Sequence, residues 1–199
     1  MTHDQDMRSE AVETKIMYSG QAIARPLFAF DELRFEPAPA DAIVRDARSL
    51  DEPPTLAHID FTSRSARQFL SAVTDADAAL LRYRRVAIIQ TWRALSGAPQ
   101  NLPLAVTDGR SVSKGDLIVA DTRSPQELGP VVDFAFYLGI HNPAHRWHYF
   151  RDMTPDELLI FQGYDFADPE RLRVLHTAFL DGSCPPGAPP RRTALLRLF

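Results

Sequence analysis

The chain carries one cysteine, Cys184, which rules out an internal disulfide framework and any cysteine-built zinc site. No apolar run approaches the ~18 residues needed to cross a bilayer. Basic excess is missing as well: 22 Lys and Arg stand against 26 Asp and Glu, a formal net charge of −4. That balance gives no footing for nucleic-acid binding, and the lack of a Lys/Arg run weakens a membrane-surface role. The opening MTHDQDMRSE has none of the apolar core of a secretory leader. With the lone cysteine, this leads us to expect a cytoplasmic protein.

What is present suits one folded domain. The 199 residues are 45% hydrophobic, enough for a sizeable core. We expect a disordered tail over residues 1–15 and a single domain over 16–199. Sixteen prolines fall at 26–54, in turns between apolar runs, and in CPPGAPP at 184–190. Proline is barred from helix interiors and central strands, so this spread suits many short strands joined by stiff turns.

Two short helices are expected after the strand-like TLAHIDFT at 55–62. SRSARQFLSAV and TDADAALLRYR each begin with Ser, Thr or Asp at an N-cap position, with Phe69, Leu70, Val73, Ala78 and Leu81 at helical spacing. From Arg85 onward the character changes. RVAIIQTWRAL, PLAVTDGRSV, DLIVAD, VVDFAFYLGI, HRWHYF, ELLIFQGYDF, RVLHTAFLD and TALLRLF are rich in β-branched and aromatic residues, with Gly, Pro, Asp or Asn between them. Eight such runs argue for a β-sandwich or barrel. TPDE at 154–157 imitates a helix capping box, but the aromatic run behind it favours a turn into a strand.

The chemistry starts at His58-Ile59-Asp60. Side chains alternate along a strand, so His58 and Asp60 project together and Ile59 enters the opposite layer. An imidazole and a carboxylate on one face supply two-thirds of the two-His-one-carboxylate set that holds iron(II) with three positions open. An H-x-D is common by chance, so a third ligand is needed. Of six histidines, His176 lies in the apolar run RVLHTAFLD. Its plain alternative is a core imidazole bonded to a backbone carbonyl. Fifteen residues on come Arg191 and, on the same strand face, Thr193. A guanidinium grips a carboxylate with two parallel hydrogen bonds and a neighbouring hydroxyl adds a third, which suits the far carboxylate of 2-oxoglutarate. The plain alternative there is a solvated arginine pair. H-x-D, a distant His and R-x-T together follow the order of 2-oxoglutarate oxygenases, whose fold is the double-stranded β-helix, a cupin-like jelly roll.

A closer resemblance rests on HIDFT, IIQTWRALSGAPQNLPLAVTDGRSV, HNPAHRWHYFRDMTPDELLIFQGYD, HTAFLDG and PPGAPPRRTALLR, covering roughly residues 55–199. In that order these blocks resemble the CmcJ/NvfI-like oxidoreductases, the family of the cephamycin methoxylation component and the fungal meroterpenoid endoperoxide synthase. The resemblance implies a mainly β jelly roll with a few short helices. It implies iron(II) as cofactor, and 2-oxoglutarate and O2 as co-substrates, acting on a small natural product. Carried over, the metal ligands fall on His58, Asp60 and His176, and the co-substrate residues on Arg191 and Thr193. The chain departs from the family in three places. Only 57 residues precede His58, Arg192 replaces an acidic residue and Ala94 a proline.

His141, His145 and His148 cluster without a carboxylate among them, so the resemblance makes HNPAHRWHYF a pocket wall rather than a second metal site. Alternation pairs Trp147 with Tyr149, and Gln90 with Trp92, as pocket-lining or core residues. The partner expected is a small-molecule substrate, with no nucleic acid or membrane, and a homodimer is allowed. The rival reading is a cupin-like non-redox isomerase or a small-molecule binding protein that keeps the metal site.

Overall fold

A computed structural model describes residues 27–29, 36–37, 42–46, 56–123, 134–171, 173–188 and 190–199. The tail expected over 1–15 lies outside these. In chain order the strands are β1 (Leu27–Ala29), β2 (Glu36–Pro37), β3 (Ala42–Asp46), β4 (His58–Ile59), β5 (Ala87–Ala94), β6 (Leu104–Thr107), β7 (Leu117–Arg123), β8 (Phe134–Gly139), β9 (Trp147–Tyr149), β10 (Leu159–Asp165), β11 (His176–Ala178) and β12 (Arg192–Leu198). Two helices, α1 (Ser63–Val73) and α2 (Ala76–Arg82), fall between β4 and β5.

The pairing is nested. β3 lies against β12, β4 against β11, β5 against β10, and β6 against β9, all antiparallel. The chain is one long antiparallel hairpin whose successive rungs alternate between two sheets as it rolls up, the jelly-roll arrangement. Among the described residues one sheet runs β10-β5-β12-β3-β2 and the other β1-β7-β8-β4-β11-β6-β9. This is the double-stranded β-helix. The sheets meet where Trp92, Ala94, Phe161 and Leu195 of one pack with Leu104 of the other and with Met153. Each large side chain buried there contributes roughly 1.5–3 kcal/mol.

Local chemistry accounts for the helices. Thr62 caps α1: its hydroxyl accepts from the Ser65 N–H, and Ser65 Oγ accepts from the Thr62 N–H at 2.9 Å. Asp75 accepts from the Ala78 N–H to start α2. α1 buries Ala66 and Leu70, and its Phe69 joins Phe61, Ile88 and Tyr164 at one end of the barrel. The expected apolar stripes are shorter than the spacing suggested. Val73 is 63% and Leu81 89% exposed, so these two positions lie off the buried faces of α1 and α2. Residues 154–157 form a turn, with Glu157 accepting from the Thr154 N–H, before β10 begins. No helix among the described residues is long and apolar enough to cross a membrane.

Candidate metal centre

β4 and β11 place the first two donors. His58 and His176 sit directly opposite each other across that antiparallel pair, which puts both rings on one face, centroids 4.3 Å apart. Asp60 follows one residue beyond β4 on the same side, while Ile59 packs the other way against Val112 and Leu175. Both Nε2 atoms approach one oxygen, Asp60 Oδ1, at 3.5 Å from His58 and 3.8 Å from His176. All three donor atoms lie within 4.8 Å of one another.

The other ring nitrogens fix the tautomers. His58 Nδ1 is 2.7 Å from the Leu56 carbonyl and His176 Nδ1 is 3.4 Å from that of Val174. A carbonyl only accepts, so each Nδ1 carries a proton and each Nε2 is the nitrogen left to face Asp60, the second contact expected of a metal-binding imidazole. The carbonyl contact that a core histidine would make is present, but it uses only one of the two nitrogens.

Electrostatics favour a cation here. Burial pushes the His176 imidazole down to about 3, helped by the neighbouring His58 and opposed by Asp60. His176 therefore stays neutral at physiological pH. Burial alone would raise the Asp60 carboxyl, but the Arg197 guanidinium and the contact with His58 outweigh it and hold the acid well below the usual carboxylate range. Two imidazole nitrogens and one carboxylate oxygen converge, a set that suits iron(II).

A cavity of about 490 Å³, open solvent at its mouth included, extends from these donors. Trp92, Leu104, Phe161 and Leu195 form its apolar wall, and Arg191 and Thr193 line it as well. Arg191 is 6% exposed. Its backbone N–H donates to Asn101 Oδ1, its Nη1 donates to the Leu102 carbonyl at 2.5 Å, and its guanidinium lies 5.6 Å from the Trp92 ring centroid. The site thus joins metal donors to a held cation through an apolar channel, which fits a ligand with a chelating end and a carboxylate end.

The remaining sequence candidates fall elsewhere. Gln90 is buried on the inner face of β5 but is not in the cavity wall. Trp147 packs onto the Ile59, Val112 and Leu175 cluster, and Tyr149 meets Phe179 edge-on, 5.0 Å between centroids. Neither lines the cavity. Register gives the reason. Val106 of β6 pairs with His176 on one side and His148 on the other, so His148 shares the metal face and its neighbours Trp147 and Tyr149 point away. His145 is held by Asp116, which it meets at 3.2 Å and which also accepts from Asn142 Nδ2 at 2.9 Å. That part of the histidine cluster braces a loop. Sequence reasoning missed Arg197, whose Nη2 donates to Asp60 Oδ2 at 3.0 Å. The available signal was alternation from Arg191 through Thr193 and Leu195.

A family model described as an oxidoreductase/YMDC permease-like domain matches residues 11–199. A hydroxylase/desaturase, efuI, of Hormonema carpetanum is 38% identical over 151 residues, 71% of this chain and 50% of that protein. An Fe(II)/2-oxoglutarate-dependent dioxygenase, nvfI, of Aspergillus novofumigatus is 27% identical over 154 residues, 73% of this chain and 51% of that protein. The solved structure of the iron and alpha-ketoglutarate-dependent endoperoxidase NvfI superposes with a TM-score of 0.68 at 25% identity, covering 79% of this chain and 59% of that one. The chain thus spans about half the length of the curated relatives it matches. Matched by that family model over nearly its whole length, it belongs to the oxidoreductase/YMDC permease-like domain family.

Proposed function

We propose that this domain, residues 16–199, is a mononuclear iron(II) oxygenase that consumes 2-oxoglutarate and O2 to hydroxylate, desaturate or cyclise a small natural product. The observation that carries the proposal is the convergence of His58 Nε2 and His176 Nε2 on Asp60 Oδ1 in a cavity that also holds Arg191 and Thr193. The names of the relatives support it and do not favour a non-redox isomerase or binding protein.

His58, Asp60 and His176 would hold the metal. Bound iron supplies oxidation of an unactivated C–H bond coupled to decarboxylation of 2-oxoglutarate. The chain's own groups do the rest. Arg191 offers a planar donor edge and Thr193 a hydroxyl to the far carboxylate, fixing the co-substrate's register along the channel. Trp92, Phe161, Leu104 and Leu195 keep that channel dry and give a compact, amphipathic substrate a wall to lie against. We place the protein in the cytoplasm, where a chain with one cysteine needs no oxidising compartment.

Anaerobic titration with iron(II) and 2-oxoglutarate tests the reading. We expect the weak visible charge-transfer band of the chelate in the wild type, and none in His58→Ala, Asp60→Ala or His176→Ala. A wild type with no band, or a His176→Ala variant that keeps full iron occupancy, overturns the ligand assignment.

A further inference from the structure

Asp60 divides its two oxygens. Oδ1 faces the imidazole nitrogens, and Oδ2 accepts from Arg197 Nη2 at 3.0 Å. Both side chains are nearly buried, 15% and 14% exposed. Arg197 is boxed in. Its guanidinium carbon lies 5.4 Å from the Phe61 ring centroid and 5.8 Å from that of Phe69. Across the β5–β12 pair stands Gln90, directly opposite Arg197 in register. Gln90 is 1% exposed, and its amide oxygen and nitrogen lack hydrogen-bond partners, as does Arg197 Nε. Opposed residues share a face with Cβ atoms ~5 Å apart, and buried polar atoms left unsatisfied are costly. An amide oxygen and an N–H donor are complementary, so Gln90 has the chemistry to satisfy the guanidinium it stands opposite. Room for Gln90 comes from a register shift in β10 at Gly163, where a Cβ would stand 3.0 Å from Gln90 Cγ.

We infer that Arg197 is a positioning residue of the metal centre: by holding Asp60 Oδ2 it commits Oδ1 to the metal, and Gln90 steadies the guanidinium from the opposite side. This rests on the iron reading above. Partners that orient a ligating carboxylate contribute to metal affinity without touching the metal. Two effects of Arg197 oppose each other. As a bare charge it repels a dication, so deleting it would tighten binding. As a positioning group it prevents Asp60 from swinging, so deleting it would weaken binding. The sign of the change identifies which role dominates.

The test is anaerobic titration with cobalt(II), followed by the absorption of the bound ion and by the metal-induced rise in Tm. Wild type, Arg197→Met, Arg197→Lys, Gln90→Leu and the control His176→Ala are compared. Arg197→Met should bind cobalt about 10–100-fold more weakly, with an altered spectrum as Asp60 changes its mode. Arg197→Lys should recover part of the loss, and Gln90→Leu should lose less than Arg197→Met. Unchanged or tighter binding by Arg197→Met overturns the inference. If that variant fails to fold, Arg197→Lys decides: cobalt bound with the wild-type constant and spectrum overturns it. A wild type that binds cobalt no better than His176→Ala refutes the metal reading itself, which is a distinguishable failure.

Discussion

At the scale of single residues, neighbours in sequence have opposite fates. Arg191 is buried against Trp92, whereas Arg192 is exposed on the outer face. Arg191→Ala should therefore raise the KM for 2-oxoglutarate by about 100-fold while iron still binds, as loss of a bidentate charged contact implies. Arg192→Ala should leave it within about twofold. Steady-state kinetics with varied 2-oxoglutarate check this, and the reverse ranking would mean that the strand phase is displaced by one residue. That His58, Asp60, His176, Arg191 and Thr193 line one cavity was legible as an H-x-D, a distant histidine in an apolar run and an R-x-T. Arg197 carries the same alternation, yet nothing local tells a partner of Asp60 from another surface arginine. Its role depends on β4, in the other sheet, lying across from β12.

Elements were legible in proportion to how much their own sequence decides. α1 and α2 announce themselves through Thr62 and Asp75, and β5 and β10 through long aromatic and β-branched runs. β9 was legible as a strand but not by face, since WHY has no apolar-polar contrast strong enough to choose an inside. The end of β10 offers a measurable case. Asp165 is buried, accepts from Arg85 Nε at 2.9 Å and from the Ala167 N–H at 3.0 Å. Burial would raise its carboxyl, but these donors outweigh burial and hold it below the ordinary value. A depressed acid stabilises the fold above its unfolded pKa, and that contribution is lost as pH falls through the lower folded value. Asp165→Asn should thus cost about 1.5 kcal/mol at pH 7, a low figure because Arg85 is half exposed. The gap from wild type should close below pH ~4. Urea melts at both pH values measure it, and a gap that persists in acid would assign the loss to packing.

At the scale of the whole molecule, the sequence disclosed a many-stranded β chain but not its nested pairing. Which strand meets which is set by closure of the roll rather than by any segment's own preference. β3 meets β12, at the far end of the chain, and the pairings shorten inward through β6 and β9 to the neighbouring β7 and β8. Contacts of such range are slow to form, so refolding should run on the order of milliseconds to seconds. Stopped-flow fluorescence of Trp92 and Trp147 reads it directly, and full recovery within microseconds would contradict the topology as the rate-setting feature. The nesting has a second consequence. Cut mentally in the loop before β9, the chain yields two pieces, each owning one side of all four rungs. His58 and Asp60 fall on the first piece, and His176, Arg191 and Arg197 on the second. Neither piece holds both imidazoles of the candidate centre, His58 and His176, or both halves of the Asp60–Arg197 ion pair. The centre therefore behaves as a logical conjunction: it exists only where the two halves of the polypeptide have found each other, and no fragment is a weaker version of it.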